Sequence, residues 1–346
     1  MFLCKTNRGF FRRYPIIWLI WLLVVIIVIK NFNINKGLKD NNNIQTVFEN
    51  NKELFVKRYD KTFSRLEVEF KRKIERVKSN ISCDLIFEGN KQMINNAMRE
   101  KQTGIVNENF IFSNQMCSSF RKIRGYDEHE VSKEELDMPL AFSILTYHNT
   151  EQFERLLKVI YRPHNIYCIH VDSKSSKTFH DSIYSIVKCF DNVFIASKLE
   201  SIVYAGFSRL QADLNCMSDL LNSTYKLFDP TKRTVKWKYL FNLASTEFPL
   251  KTNYEIVKIL KLYNGANDIE VIQRVYEPYV KYKWIVKNGS VVRTNIKNEA
   301  PPHSFSLAKG LAYGVFSYDF IYYTINNDYS KDLLQYVKNV YSPDEM

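Results

Sequence analysis

At 346 residues the chain is long enough for one large domain or two ordinary ones, and 45% hydrophobic with 25% charged residues excludes low-complexity and fibrous classes. The net charge of +12 matches a nucleic-acid binder in size only. Its lysines and arginines are interspersed with acids, and no nucleic-acid module's motif occurs, so no nucleic-acid partner is expected.

Residues 1–15 carry Lys5, Arg8, Arg12 and Arg13 and no acid; "IIWLIWLLVVIIVI", residues 16–29, has no polar side chain. A cationic flank before an apolar run, with no small-residue cleavage site after it, reads as a single-pass signal anchor. Fourteen residues are short for an ordinary span of about 20, so Tyr14, Pro15, the flanking Phe10 and Phe11 and a thin membrane are needed to complete it. The expectation is a cytoplasmic tail 1–15, a transmembrane anchor 16–29, a luminal stem 30–115 and a folded domain 116–346. Within the stem, Phe63, Leu66, Phe70, Ile74 and Val77 recur at helical spacing amid dense charge, which predicts an exposed helix.

Five cysteines lie on the luminal side: Cys83, Cys117, Cys168, Cys189 and Cys216. An odd number leaves at least one without a partner in the chain, and neither CxxC nor HExxH spacing occurs to hold zinc. Asn80, Asn222 and Asn288 begin glycosylation sequons.

The segment 126–137, "YDEHEVSKEELD", reads as a solvated linker. From Met138 the pattern changes. "PLAFSILTY", "NIYCIHV", "NVFIA" and "KYLFNLA" are near-continuous apolar strands. Between and after them come "NTEQFERLLKVIY", "SSKTFHDSIYSIVKCF", "FSRLQADLNCMSDLLN" and "TNYEIVKILKLY", which are amphipathic helices. Alternation of this kind predicts an α/β fold with a mostly parallel sheet covered on both faces by helices. A further strand, "GLAYGVFS", and two helices complete the chain. Ligands of such sheets sit beyond the carboxyl ends of the strands, where Tyr147, His148, His170 and Asp172 fall. His170 is open to two readings, a packed histidine or a functional one. No glycine-rich phosphate loop and no GxSxG elbow occurs, which argues against dinucleotide, P-loop and hydrolase readings. No Asp-x-Asp occurs either. A luminal transferase of nucleotide sugars would then neutralise its leaving group with Lys or Arg instead of a metal.

Four blocks, in order, carry a specific resemblance: "FSILTYHNTEQFERLLKVIYRPHNIYCIHVDSKS", "CFDNVFIASKLESIVYAGFSRLQADLNCMSDL", "WKYLFNLASTEFPLKTNYEIVKILK" and "YSPDE". Together they resemble the core 2 and I-branching β-1,6-N-acetylglucosaminyltransferases. What the resemblance implies is a GT-A-type domain that transfers GlcNAc from UDP-GlcNAc, with inversion and without metal or other cofactor. The acceptor implied is the GalNAc of Gal-β-1,3-GalNAc on O-glycosylated glycoproteins, and the place the Golgi membrane, with the domain in the lumen. It puts the uridine site on Leu145, Thr146, Tyr147, Asp172, Ser173, Lys174 and Tyr204, an acceptor-binding glutamate at Glu270 and the catalytic base at Glu345. The basic acceptor residues fall within "YEPYVKYKW", which includes Lys281 and Lys283. Where the family has Ser-Gly, this chain has Lys309-Gly310, a departure that bears on the acceptor. The family's pairing implies bridges Cys117–Cys189 and Cys168–Cys216, with Cys83 unpaired and a disulfide homodimer open to it.

Family members continue past "SPDE", so the chain reads as a product shortened at its C-terminus with little or no turnover. The cations that would have to replace the missing ones are Lys174, Lys251 and Lys309. A xylosyltransferase-like relative and a catalytically dead Golgi binding chain are the other readings.

Overall fold

The computed structural model describes residues 65–75, 80–99, 104–222, 235–274 and 277–345. The tail 1–15, the anchor 16–29 and the stem as far as residue 64 lie outside them, and among the described residues no helix is long and apolar enough to cross a membrane. Residues 67–346 form one compact unit.

A five-stranded sheet is its centre. β1 (Leu140–Thr146), β2 (Ile166–Val171), β3 (Val193–Ile195) and β4 (Tyr239–Ala244) are parallel, in the order β3-β2-β1-β4, and β9 (Val315–Ser317) closes the edge antiparallel to β4. Every residue of β1 and β2 is buried, as expected of strands covered on both faces. The connecting helices are α2 (Thr150–Ile160), α3 (Lys177–Val187), α4 (Phe207–Asn222) and α5 (Asn253–Tyr263), after α1 (Cys117–Arg124). Their starts follow the chemistry of helix ends. Asn149 caps α2 by accepting from the Gln152 N–H, and Thr252 makes a capping box with Glu255 at the head of α5.

On one face, α4 lays Cys216, Met217 and Leu220 over Ala141, Cys168 and Leu240 of the sheet. On the other side an aromatic core gathers Phe112, Phe120, Tyr126, Tyr161 and Phe190, with successive ring centroids 4.7–6.5 Å apart. Here the expected exposed stem helix is corrected. Residues 67–74 are helical, and Phe70 and Ile74 are buried, the Phe70 ring 5.0 Å from Phe112. A charged sequence with two apolar residues a turn apart has enough of a stripe to dock, even where the rest of its surface is solvated.

The segment 126–137 is also docked rather than solvated. Tyr126 is buried, Ser132 and Glu135 form a capping box, and Glu135 accepts from Asn253 Nδ2 at 2.8 Å. "GLAYGVFS" is not one strand. It divides into β8 (Ala308–Gly310), which pairs with β5 (Val271–Arg274), and β9 of the main sheet. A hairpin that the sequence reading did not predict, β6 (Tyr282–Lys287) and β7 (Ser290–Lys297), turns at Asn288-Gly289. Both turn residues have positive φ, 52° and 75°, the geometry in which Asn-Gly is favoured between two strands. α6 (Glu277–Lys281) precedes this hairpin; α7 (Tyr318–Asn326) and α8 (Asp328–Val337) follow β9.

Candidate active site

The chain builds β1, β2 and β3 outward in one direction and then returns to lay β4 on the other side of β1. That reversal opens a crevice at the carboxyl ends of β1 and β4. Three segments converge on it. The Asp172 N–H donates to Thr146 O at 3.0 Å, the Ser173 N–H to Glu200 O at 3.0 Å, and Ser175 Oγ to Tyr147 O at 2.7 Å. Asp172 Oδ1 accepts from the Lys174 N–H at 2.9 Å, while the Lys174 ammonium donates to Ile202 O and lies 3.8 Å from Asp172 Oδ2. Leu145, Thr146, Tyr147, Asp172, Ser173 and Lys174 are therefore brought together, with the loop 198–206 laid across them.

Of these, Leu145, Thr146 and Asp172 have buried side chains, whereas Tyr147 is 58% exposed and Tyr204, on the loop, 89% exposed. The converging segments thus carry two accessible aromatic side chains and a buried carboxylate that retains acceptor capacity. Thr146 Oγ1 is buried without a hydrogen-bond partner. His170 lies one residue before the end of β2, fully buried, and its Nε2 accepts from the Glu200 N–H at 2.8 Å. Burial holds its pKa below the ordinary value, against the attraction of Asp213, Asp172 and Glu200. The packed reading of His170 is the one the geometry supports: a neutral ring that pins the loop carrying Tyr204.

The C-terminal turn docks beside this loop. Ser342 N donates to Ala205 O at 2.9 Å, and Pro343–Glu345 then makes one 3₁₀ turn. Glu345 Oε2 accepts from Lys309 Nζ at 2.5 Å. Lys309 sits on β8, whose neighbour Gly310 faces Val271 of β5. Glu270, exposed, is the residue just before β5. The strands approach so closely there that a Cβ on Gly310 would lie 2.0 Å from Glu270 O, so the position admits only glycine. An aromatic group stands alongside: Tyr279 and Trp284 lie with ring centroids 4.5 and 4.8 Å from Tyr341, and Tyr341 N donates to Tyr279 O at 3.2 Å. Lys281 pairs with Glu277 at 2.9 Å on the surface of α6.

Below the crevice a buried polar network joins strands to α4. Asp213 accepts from Ser143 Oγ at 2.9 Å, from Asn242 Nδ2 at 3.2 Å and from the Arg209 guanidinium. Asn242 also bonds the backbone of the β8–β9 connection, donating to Ala312 O at 2.7 Å and accepting from Gly314 N at 2.8 Å. Arg209 lies over the Tyr313 ring, 5.3 Å from its centroid. Burial pushes the Asp344 carboxyl above its ordinary pKa, opposed by Arg209.

Residues 140–346 match the family model of the Core-2/I-Branching enzymes. The chain belongs to that family. It is 40% identical over 277 residues to β-1,3-galactosyl-O-glycosyl-glycoprotein β-1,6-N-acetylglucosaminyltransferase 3 of Rattus norvegicus, an alignment covering 78% of this chain and 61% of that protein. The Homo sapiens protein of the same name is 39% identical over 276 residues, with the same coverage. The type 4 protein of Danio rerio is 44% identical over 237 residues, covering 66% of this chain and 53% of that protein. The chain thus spans somewhat over half the length of these curated relatives. A mannosyltransferase structure from S. cerevisiae aligns at 14% identity and a TM-score of 0.28, covering 72% of this chain and 76% of that one, too slight a likeness to inform the fold.

Within the chain, Cys117 is bonded to Cys189 and Cys168 to Cys216, with Cα separations of 5.0 and 5.6 Å. The second bridge ties β2 to α4. Cys83 is a free, exposed thiol. Asn80 and Asn288 are exposed; Asn222 ends α4 and is half-buried. Tyr279, Trp284, Tyr341, Arg209 and Asp213 were not singled out from sequence. "FSRLQADL" did hold a signal for two of them, an Arg and an Asp four residues apart on one helix. Tyr341 had none, because its neighbours come from α6 and the hairpin after it, about sixty residues earlier.

Proposed function

We propose that the chain is an inverting, GT-A-type β-1,6-N-acetylglucosaminyltransferase. Its donor is UDP-GlcNAc and its acceptor the 6-hydroxyl of GalNAc in Gal-β-1,3-GalNAc O-glycans, in the Golgi lumen, behind a type II membrane anchor. The observation that carries the reading is the gathering at one crevice of a carboxylate in the "SPDE" turn, the strand that follows Glu270, an aromatic wall and the loop of Tyr204. The relatives' names give the chemistry its class.

In this reading Asp172 accepts the uracil N–H between the faces of Tyr147 and Tyr204, with Leu145, Thr146 and Ser173 lining the nucleotide through the backbone. Glu270 takes acceptor hydroxyls, and the rings of Tyr279, Trp284 and Tyr341 offer flat apolar faces to a sugar ring. Glu345 takes the proton of the acceptor hydroxyl as that oxygen attacks C1 of GlcNAc. The bond from C1 to the diphosphate oxygen breaks, UDP leaves on the opposite face, and the configuration inverts. Protein cations neutralise the leaving group without a metal, Lys174 being the one on the nucleotide side.

The test is to supply the chain, purified in detergent, with UDP-GlcNAc and Gal-β-1,3-GalNAc-peptide in EDTA. Branched product, abolished by Glu345→Gln, supports the reading and sets aside the expectation of little or no turnover drawn from the sequence. Transfer from UDP-xylose instead, or from neither donor, overturns the reading.

A further inference from the structure

We infer that Lys309 is a positioning residue that holds the carboxylate of Glu345 at a fixed place relative to the strand following Glu270. The inference rests on the reading of Glu345 as the base.

The Lys309 ammonium donates to Glu345 Oε2 at 2.5 Å, and both side chains are about one-third exposed, 34% and 29%. Glu345 is carried by a single 3₁₀ turn, Pro343–Glu345, in which Glu345 N donates to Ser342 O at 3.1 Å. A turn of that length does not fix a glutamate rotamer, since three side-chain torsions remain free. The bond from Lys309 removes that freedom at one oxygen. It leaves Oε1 as the atom that can accept the hydroxyl proton.

Lys309 is itself held. β8 pairs with β5 through Val271↔Gly310 and Gln273↔Lys309, and the contact of Gly310 with Glu270 O permits no side chain between them. The base and the acceptor-side strand are therefore linked through one side chain and one pair of strands. A hydroxyl presented from the β5 side meets a carboxylate whose distance from that strand is set in advance. General-base catalysis needs that spacing, because reacting atoms must be held within hydrogen-bond reach.

The groups around the pair leave the ammonium charged. Asp344 precedes Glu345, and the phenols of Tyr279 and Tyr341 face the pair, with Tyr204 beside Tyr341. Arg209 acts on Asp344 rather than on the pair. The hydrogen bond it donates to Glu345 outweighs desolvation and raises the pKa of Lys309.

The experiment compares the full-length chain in detergent with Lys309→Met and Lys309→Arg. Methionine keeps much of the stem and removes the charge at a partly exposed site, and thermal melting confirms that both variants fold. Expected are a roughly 10- to 100-fold fall in kcat for Lys309→Met with the KM for UDP-GlcNAc unchanged, and recovery of most of it in Lys309→Arg. Independently of turnover, NMR of the ¹³C-lysine-labelled chain should show Lys309 titrating above the ordinary lysine value, and falling back toward it in Glu345→Gln. An unchanged kcat in Lys309→Met, in an active enzyme, overturns this inference and leaves the proposed function standing. A parent chain with no GlcNAc transfer overturns both. A Lys309 titration indifferent to Glu345→Gln overturns the pair itself.

Discussion

Glu154→Ala should be among the most destabilising substitutions in the domain. Glu154 on α2 is fully buried, and Arg124 on α1 has only 5% of its side chain exposed. Arg124 Nε donates to Glu154 Oε1 at 2.9 Å, a second guanidinium nitrogen bonds Oε2, and Nη1 donates to Ile74 O at 2.9 Å. Truncating the acid leaves the guanidinium buried with a single backbone acceptor. Breaking one side of such a buried pair costs about 3–5 kcal/mol. At about 2–4 °C per kcal/mol for a domain of this size, the melting temperature should fall by about 6–20 °C. Arg124→Met with Glu154→Leu together removes both charges and fills the volume. It should recover most of the loss, because the large term is the stranded charge and not the net worth of the pair. Differential scanning calorimetry on the three proteins measures this. Hydrogen exchange reads the second consequence: amides of helical residues 67–74 should lose protection, since Ile74 O is bound to the same guanidinium. A drop below 2 °C in Glu154→Ala, or a double variant as unstable as the single one, would refute the reasoning.

Two more predictions follow from the same structure. Each disulfide closes a long loop, with sequence separations of 72 and 48 residues, so in the chain-entropy model removing either costs about 4 kcal/mol; Cys117→Ser/Cys189→Ser and Cys168→Ser/Cys216→Ser melts under non-reducing conditions check it. His170 is held neutral by burial, with its pKa below 6.5, so the unfolded chain takes up that proton first. Its contribution to stability is complete above pH 6.5 and is lost as pH falls from there through the folded-state value. The pH dependence of the melting temperature between 7.5 and 5.5 should shrink in His170→Gln, which keeps an acceptor for the Glu200 N–H.

The sheet was legible because burial on both faces leaves an uninterrupted apolar run, and "FSILT", "YCIHV" and "YLFNL" announce themselves without their neighbours. Helix starts were legible for a local reason too: the Asn149 and Thr252 caps act within three residues. What the sequence hid is tertiary. Phe70 and Ile74 read as part of an exposed charged helix because the aromatic core that covers them comes from residues 110–190. "GLAYGVFS" read as one strand because nothing local says that Gly310 pairs with Val271 while Phe316 pairs with Leu240. "NGS" held two signals, a sequon and a hairpin turn, and the reading took the first; the apolar residues on either side, Ile285, Val286, Val291 and Val292, were the evidence for the second. Residues 145–147 and 172–174 were placed together by the carboxyl ends of β1 and β2, a property of parallel sheets. The aromatic wall had no such rule to reveal it.

The chain offers two adjacent acids, Asp344 and Glu345, and base chemistry needs only one. Their surroundings divide the work. Asp344 turns under the crevice, with Oδ1 buried and without a hydrogen-bond partner. Burial raises its pKa, and the charge opposing that is Arg209, already engaged by Asp213. Asp213 in turn is fixed to β1 through Ser143 and to β4 through Asn242, and Asn242 bonds the connection that leads from β8 into β9. A carboxyl in that position is a neighbour of the scaffold's own charges and has little path to an incoming hydroxyl. Glu345 is half-buried and pairs with Lys309, on the strand that pairs with the one after Glu270. The two acids of one 3₁₀ turn thus have different neighbours. On the proposed reading, Glu345 is preferred as base through its neighbours as much as through residue type, and exchanging the order of the two acids would set a carboxylate one methylene shorter opposite Lys309.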